Sequence, residues 1–126
     1  MGIASGWRAV SAHPPLNLCG ALTPRESAAV FARATLFLGH DSGPGHLASA
    51  VQTPTITVAS ARNLPGIWFP YGSRNRVLYH SVDCQGCELL VCIEQKKKCI
   101  LSITVDEVLA QVTPLLPAPN IHLEVR

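Results

Sequence analysis

Short apolar runs separated by amphipathic segments predict a strand-helix-strand-helix-strand order for the first half of the chain. Three runs have the length and apolar content of buried strands, namely LNLCG at 16–20, TLFLGH at 35–40 and TITVA at 55–59. The core of the second run is apolar throughout, which is typical of a strand covered on both faces. Because strands and helices alternate, we expect an α/β fold with a parallel sheet and right-handed crossovers.

Local start and stop signals define the helices between these strands. Thr23 is a suitable N-cap, Pro24 suits the first helical position, and Glu26 completes a capping box. A helix is therefore predicted from residue 24 to about residue 34. A second helix is predicted over GHLASAV at 45–51, where the following Thr-Pro pair ends it.

The second half of the chain contains a loop, a short strand and one amphipathic helix. Residues 60–72 hold two prolines and two glycines, which predicts a loop, and RVLYH at 76–80 predicts a short strand. Thr104 and Glu107 form a second capping box. The apolar stripe of the helix that follows consists of Val105, Val108, Leu109 and Val112. The residues after Pro117 are expected to be loosely held.

Composition and charge narrow the class of protein. The chain has 126 residues, of which 48% are apolar and 14% are charged, so we expect one globular domain with a packed core. The net charge of +2 argues against nucleic-acid binding, and the Lys96–Lys98 run is interpreted as a solvated loop. No apolar run is long enough to span a bilayer, and the first residues do not resemble a signal peptide. We therefore expect a soluble, cytoplasmic protein.

The segment GHDSGPGH at 39–46 has the composition of an anion site between a strand and a helix. Ligands of open α/β sheets bind at the carboxyl ends of the strands, where glycines admit a phosphate to the backbone and the helix dipole attracts it. Ser42 can donate a hydroxyl hydrogen bond, and His46 can donate from its ring. Asp41 is acidic and would repel a phosphate, so a sugar hydroxyl is its natural partner.

A structural role for the same residues also fits the pattern. Asp41 or Ser42 would then cap the helix, the glycines would only form a tight turn, and His46 would be a satisfied core histidine. The segment is neither a Walker loop nor a GxGxxG fingerprint. A serine hydrolase is not indicated, because no G-x-S-x-G surrounds Ser42. Spacing alone leaves the binding and the structural interpretations open.

The order of motifs across residues 16–116 resembles the carboxyl-terminal, donor-binding half of glycosyltransferase family 9, the heptosyltransferases of lipopolysaccharide assembly. The resemblance begins with an L-x-G-x-x-(S/T)-x-x-E helix start, here LCGALTPRE at 18–26. It continues with (N/H)-D-(S/T)-G-(P/L)-x-H-L-A-A-A, here HDSGPGHLASA at 40–50, and then Thr53-Pro54 and a strand. The later cysteines and ITVDEVL at 103–109 are similar to the tail of the family.

The resemblance implies a Rossmann-like parallel sheet with flanking helices, as part of the carboxyl-terminal half of a GT-B glycosyltransferase. It implies an ADP-heptose donor, a lipopolysaccharide core acceptor and no cofactor for transfer. It also implies that Ser42, Gly43 and His46 contact the diphosphate and that Asp41 contacts the heptose hydroxyls. The donor-binding residues inferred in this way are Asp41, Ser42, Gly43, Pro44, Gly45 and His46.

The chain also departs from the family pattern. Complete members have an amino-terminal acceptor half and earlier strand-helix units of the donor half, and this sequence matches neither. The resemblance therefore implies a single, partial donor-binding domain over residues 1–126, from a fragment or a truncated gene product, with the catalytic base unknown. His40 stands where asparagine is common, and Gly45 stands where a larger residue is common.

Four of the five cysteines fall within one segment, residues 84–99. The spacing C-x2-C-x4-C-x6-C supplies the four thiolates that tetrahedral structural zinc requires, and the predicted ligands are Cys84, Cys87, Cys92 and Cys99. The spacing differs from the ferredoxin pattern, so an iron–sulfur cluster is a weaker interpretation. Free thiols and two disulfides are the other interpretations, although the odd count disfavours a secreted disulfide framework. Cys19 is expected in the core.

Two functional hypotheses follow. Residues 36–51 favour the nucleotide-sugar-binding part of a heptosyltransferase-like enzyme that acts by direct displacement at the anomeric carbon. Residues 84–99 favour instead a small metal-stabilised α/β binding or assembly module without catalysis. The first hypothesis predicts ADP binding, and the second predicts stoichiometric zinc without nucleotide affinity. Strands missing from the sheet would leave an exposed edge, from which we expect a homo-oligomer.

Overall fold

The computed structural model describes residues 15–117, in which helices pack against a three-stranded parallel sheet. The elements in chain order are α1 (Pro24–Ala32), β1 (Phe37–His40), α2 (Gly43–Ala50), β2 (Thr55–Ala59), β3 (Asn75–Tyr79), α3 (Lys98–Leu101) and α4 (Val105–Val112), followed by a 3₁₀ turn at Thr113–Leu115. The α/β class predicted from the sequence is confirmed. None of the helices described is long and apolar enough to cross a bilayer. The predicted loose tail after Pro117 lies outside the described residues.

β2 is the central strand and carries the core. It pairs in parallel with β1, where Leu38 lies opposite Ile56, and with β3, where Val58 lies opposite Leu78. The fully or almost fully buried residues on or next to this strand are Thr55, Ile56, Thr57, Ala59 and Ala61. Because the three strands run in the same direction, their carboxyl ends meet at one edge of the sheet, where ligands of such folds bind.

Both predicted capping boxes are present. Oγ1 of Thr23 accepts from the N–H of Glu26 at 3.3 Å, and Oε2 of Glu26 accepts from the N–H of Thr23 at 2.8 Å. Thr104 and Glu107 make the same two bonds at 3.2 and 2.7 Å. These bonds satisfy N–H groups of the first helical turn, so α1 and α4 begin where the sequence places them. Two other helix bounds were predicted less accurately. α1 ends at residue 32 instead of about residue 34, and α2 begins at residue 43 instead of residue 45.

The predicted first strand, LNLCG at 16–20, is wrong. The carbonyl of Leu18 accepts from the N–H of Ala21 at 3.1 Å in a turn, and Gly20 has a left-handed φ of +72°. Leu16 is 81% exposed. A strand persists only where a neighbour pairs with its backbone, and no strand of the described sheet pairs with these residues. Cys19, predicted for the core, is consequently exposed.

β1 is covered mainly on one face, whereas its apolar sequence predicts cover on both. Phe37 packs against Phe31 of α1, with ring centroids 5.2 Å apart. Leu38 faces the other side of the sheet and is 49% exposed. On that side α4 packs against β2 and β3, so it leaves much of Leu38 in solvent. The prediction failed because cover depends on elements that are distant in the sequence.

The apolar stripe predicted on α4 is covered along only one of its two sides. Val108 and Val112 are half-buried, whereas Val105 and Leu109 are 74% and 51% exposed. Residues four apart lie above one another on a helix, so the stripe divides into a covered pair and an exposed pair. A narrow sheet accounts for this, because α4 packs mainly on β2 and β3.

Candidate functional site

The junction between β1 and α2 lies at the edge where the strands end. Asp41 and Ser42 connect His40 to Gly43, the first residue of α2. Ser42 occupies the N-cap position, but its side chain caps no helical N–H and donates instead to the carbonyl oxygen of His40 at 3.3 Å. Gly45 and His46 donate their N–H groups to the carbonyl oxygen of Ser42, and Pro44 has none. The start of α2 therefore keeps the N–H of Gly43 and a partial positive charge that a ligand can use.

The two glycines at the start of α2 have different surroundings. A Cβ added to Gly43 would meet no atom within 4 Å, so the backbone there is open to close approach. A Cβ added to Gly45 would lie 3.6 Å from the ring of Phe37 and 3.7 Å from the carbonyl oxygen of His40, which is ordinary packing of α2 on the sheet. Gly43 is thus the position where a phosphate can reach the helix without meeting a side chain.

Asp41 is half-buried and is held from the neighbouring strand. Ser60, directly after β2, donates its hydroxyl to Oδ2 of Asp41 at 3.3 Å. Within residues 15–117, this is the hydrogen bond that the Asp41 side chain makes, and Oδ1 accepts none. A carboxylate with one oxygen anchored and the other free is a suitable acceptor for a sugar hydroxyl.

His46 is not a satisfied core histidine. Its Nε2 is buried and has no hydrogen-bond partner among the described residues. Its ring packs edge-on against Trp68, with 4.7 Å between the ring centroids. A buried polar atom without a partner costs about 1–3 kcal/mol. The contact with Trp68 explains the orientation of the ring. It does not explain why Nε2 is buried without a hydrogen-bond partner among the described residues.

A polar cavity of about 510 Å³ lies at the carboxyl ends of β1 and β2. Its lining residues are His40, Asp41, Ser60, Arg62, Asn63 and Trp68. Of the six predicted donor-binding residues, Asp41 lines this cavity. Gly43 and Pro44 line an apolar hollow of about 440 Å³ beside α1, together with Phe31 and Leu47. Ser42, Gly45 and His46 line neither of these two spaces.

Sequence reasoning missed the part of the cavity wall that comes from the loop after β2. The residues concerned are Ser60, Arg62, Asn63 and Trp68. A signal for Ser60 was available, because it directly follows β2 and residues that directly follow parallel strands meet at the same edge of a sheet. Trp68 reaches the site only through the path of the loop, which no local pattern predicts.

The four clustered cysteines share one cavity without forming a metal site. The residues Cys84, Cys87, Cys92 and Cys99 all line a cavity of about 180 Å³, and the thiols are free. No three His, Cys, Asp or Glu side chains within residues 15–117 are close enough together to hold a metal ion. Glu88, Lys96 and Lys97 have left-handed φ values of 56°, 48° and 55°, which are uncommon for residues other than glycine. Residues 84–97 therefore form an irregular loop that ends at α3.

The lysine run of this segment is largely solvated, as predicted. Lys96 and Lys97 are exposed, and Lys98 forms an ion pair with Asp83. The hydrogen bond to Lys98 lowers the pKa of the Asp83 carboxyl.

A separate polar cluster joins β3 to the start of α4. Nε2 of His80 lies 2.8 Å from Oε1 of Glu107, and Nδ1 lies 2.9 Å from Oγ of Ser102. Hydrogen bonds from the backbone and side chain of Thr104, together with His80, hold the pKa of Glu107 below its ordinary value. The cluster lies outside the polar cavity at β1 and β2, so we assign it a role in holding α4 on the sheet.

A parallel α/β sheet with an open glycine junction at its strand ends has the architecture of a nucleotide-binding domain. Comparison with known proteins identifies the family. The chain belongs to glycosyltransferase family 9 (heptosyltransferase), whose family model matches residues 3–98. The resemblance carried by the sequence motifs is thereby confirmed, and with it the Rossmann-like class of the fold.

Two curated relatives are both named lipopolysaccharide heptosyltransferase 3. One, from Escherichia coli (strain K12), is 31% identical over 110 residues, which cover 87% of this chain and 31% of the relative. The other, from Escherichia coli, is 32% identical over 106 residues, which cover 83% of this chain and 31% of the relative. The chain thus matches less than a third of the length of these relatives. No solved structure matches it significantly.

Proposed function

We propose that this chain is the donor-binding part of a heptosyltransferase-like glycosyltransferase of lipopolysaccharide core biosynthesis, with ADP-heptose as its ligand. The observation that carries the proposal is the unfilled start of α2, where Gly43 is open and the side chain of Ser42 caps no N–H. This start lies at the carboxyl edge of a parallel sheet, where nucleotides bind in α/β proteins. Membership of the family supports a nucleotide-sugar donor.

Each predicted donor residue has a role in this proposal. Ser42 turns its hydroxyl from the carbonyl oxygen of His40 to the diphosphate, Gly43 donates its backbone N–H, and His46 contributes Nε2. Asp41 accepts hydrogen bonds from heptose hydroxyls through its free Oδ1. Pro44 and Gly45 keep the turn narrow, because proline presets the backbone of the first turn and Gly45 packs directly on the sheet.

The reaction proposed is a direct displacement at the anomeric carbon of the heptose. A hydroxyl of the lipopolysaccharide core acceptor forms the new bond as ADP leaves with the electron pair of the old one. The start of α2 stabilises the negative charge that the diphosphate gains, which favours the transition state over the bound donor. The transfer as proposed uses no cofactor, the catalytic base stays unassigned, and the cytoplasmic location stays a prediction from the sequence.

Titration of the 126-residue chain with ADP, followed by backbone NMR, tests the proposed site. We expect the amide signals of Ser42, Gly43, Gly45 and His46 to shift first, because they surround the helix start. Shifts confined to a distant surface, with these four signals unmoved, would contradict the assignment.

An activity assay tests whether this chain binds the donor without catalysing the transfer. Because the chain matches less than a third of the length of its relatives, we expect the 126-residue polypeptide to bind ADP-heptose without transferring the heptose. Measurable transfer to a lipopolysaccharide core acceptor would show that the polypeptide itself carries acceptor binding and catalysis.

A metal-stabilised module is the second candidate, and one observation favours it. The four sulfur-bearing side chains of the segment 84–99 all face one small cavity, although zinc would require the segment to draw them closer together. Elemental analysis of freshly purified, reduced protein tests this candidate, with Cys87→Ser as the variant and Cys19→Ser as the matched control. One equivalent of zinc that is lost with Cys87→Ser alone supports it. Four titratable thiols without metal leave free cysteines as the better account.

A further inference from the structure

Arg62 follows the carboxyl end of β2 and has an incompletely satisfied guanidinium group. Its Nη2 donates to the carbonyl oxygen of Glu88 at 3.3 Å. Its Nε is buried and has no hydrogen-bond partner among the described residues. A guanidinium carries five N–H donors and keeps its charge at every physiological pH. A buried donor without an acceptor is unfavourable, so the fold alone does not account for the position of this side chain.

The charge of Arg62 also lacks a carboxylate partner in the part of the chain that the structure describes. The ion pairs within residues 15–117 join His80 to Glu107 and Lys98 to Asp83. Asp41 lines the same cavity as Arg62, but its Oδ2 is held by Ser60 and it forms no ion pair with the guanidinium. Arg62, which lines both the polar cavity and the cysteine cavity, therefore carries a permanent positive charge that no described carboxylate neutralises.

The cavity also connects Arg62 to the start of α2. Trp68 lines the cavity with Arg62, and its ring packs on His46 in the first turn of the helix at 4.7 Å between centroids. Asp41 on the cavity wall is two residues before Gly43 in the chain. The start of α2 is thus joined to the cavity that Arg62 lines through Asp41 and through the contact of Trp68 with His46.

We propose that Arg62 and the start of α2 bind the diphosphate of the donor nucleotide together. This inference rests on the proposed function. The helix contributes partial charge and the N–H of Gly43, and Arg62 contributes a full charge on a planar fork that matches phosphate oxygens in pairs. In this proposal Asp41, which lines the same cavity, contacts the uncharged sugar. The charged and the hydroxylated parts of the ligand therefore contact different side chains.

Isothermal titration calorimetry of the 126-residue chain with ADP, AMP and adenosine tests the proposal. Arg62→Gln is expected to weaken ADP binding about tenfold or more, AMP binding less, and adenosine binding not at all, because the charge contacts the diphosphate alone. Arg62→Lys, which retains the charge without the fork, should lie between wild type and Arg62→Gln. Arg74→Gln is the matched control, because Arg74 donates to the carbonyl oxygen of Gln52 at 3.2 Å and precedes β3 at the opposite edge of the sheet.

The outcomes separate this inference from the proposed function. ADP binding by the wild type that is the same in Arg62→Gln and Arg74→Gln overturns the role of Arg62 and leaves the proposed function standing. Absence of ADP binding in the wild type overturns both. A titration of the wild type with inorganic pyrophosphate does not depend on whether the variants fold. In the NMR spectrum the Nε–H signal of Arg62 should shift and that of Arg74 should not. An unmoved Arg62 signal at saturation would contradict the proposal.

Discussion

At the scale of single residues, the candidate site consists of side chains that the fold anchors at one atom and leaves unpaired at another. Asp41 has Oδ2 held by Ser60, and His46 has its ring against Trp68 while Nε2 has no hydrogen-bond partner within residues 15–117. Because these side chains are already anchored, less conformational entropy is lost when a ligand binds. The atom without a partner then provides the contact with the ligand. Substitution of such residues should therefore change ligand affinity more than stability.

Asp41→Asn provides a test at this scale. A hydrogen bond to a charged group contributes about 1.5–3 kcal/mol, so the variant should bind ADP-heptose about tenfold more weakly while its affinity for ADP stays within about twofold of wild type. Calorimetry with the two ligands measures both affinities. Asp106→Asn makes the same charge change on the exposed first turn of α4 and serves as the control. An equal loss of affinity for both ligands would contradict the assignment of Asp41 to the sugar.

At the scale of elements, β1 and α4 are held on the sheet by a small number of specific contacts. The ring of Phe37 lies over Gly39 and against Phe31 of α1, so a missing side chain at Gly39 makes room for the contact between helix and strand. α4 is held by the bond from Nε2 of His80 to Oε1 of Glu107 and by the bond from Arg76 to Oε1 of Gln111 at 3.2 Å. Each contact joins an element of few residues to the central sheet.

Gly39→Ala should destabilise the chain. The added Cβ would lie 2.7 Å from Cε1 of Phe37, so the ring must move away from Phe31, and overpacking of this kind typically costs about 1–3 kcal/mol. Urea denaturation measures the free energy of unfolding. Gly43→Ala is the control, because its Cβ meets no atom within 4 Å and its stability should stay within about 0.5 kcal/mol of wild type. Equal stabilities of the two variants would show that the packing of the Phe37 ring does not require glycine at residue 39.

The lowered pKa of Glu107 makes the attachment of α4 dependent on pH. Hydrogen bonds from Thr104, and then from His80, lower the pKa of Glu107 in the folded state, so the unfolded chain binds the proton more readily. The stability that Glu107 contributes is therefore present above the ordinary glutamate pKa of about 4.3 and is lost as the pH falls through the lower folded-state pKa.

Glu107→Gln removes this titration and should flatten the acid limb of the stability curve. Between about pH 5 and about pH 3 the variant should lose less of its free energy of unfolding than wild type loses, as measured by urea denaturation at each pH. Glu94→Gln is the control, because Glu94 is exposed in a turn. A slope for Glu107→Gln as steep as that of the control would count against the role of the carboxylate.

At the scale of the whole molecule, the sheet is narrow and incompletely covered. β1 pairs with β2 along one side only within the described residues, and Leu38 beside that open edge is 49% exposed. An unpaired strand edge with an apolar side chain is a template for pairing with another chain. The homo-oligomer predicted from the sequence therefore has a definite candidate interface, although it stays a prediction.

Self-association through β1 should depend on Leu38. Wild type is expected to form dimers as its concentration rises, and Leu38→Lys is expected to stay monomeric, because a charged side chain on an edge strand opposes pairing. Sedimentation velocity over a concentration series measures the association. Leu101→Lys, which alters a 72% exposed residue of α3, is the control. A wild type that stays monomeric throughout the series would remove β1 as an interface for this chain.

The sequence by itself determined the features whose signals are local. The two capping boxes join residues three apart, so Thr23 with Glu26 and Thr104 with Glu107 place the starts of α1 and α4 without help from the rest of the chain. The β-branched run at 55–59 defines β2 from end to end, and the motifs around residues 40–50 identify the family. The Asp41–His46 segment was identified as a junction because glycines, a proline and polar residues interrupt two apolar elements.

The tertiary structure alone decided the features that need a partner from elsewhere in the chain. The segment at 16–20 has the composition of a strand but no neighbour within the described sheet to pair with, so it forms a turn. Leu38 and Leu109 belong to apolar patterns, yet their exposure follows from where α4 crosses the sheet. Arg62 and Trp68 join Asp41 in one cavity because parallel pairing brings the ends of β1 and β2 to the same edge. Backbone pairing and burial are properties of contacts between distant segments, and no local pattern encodes which segments meet.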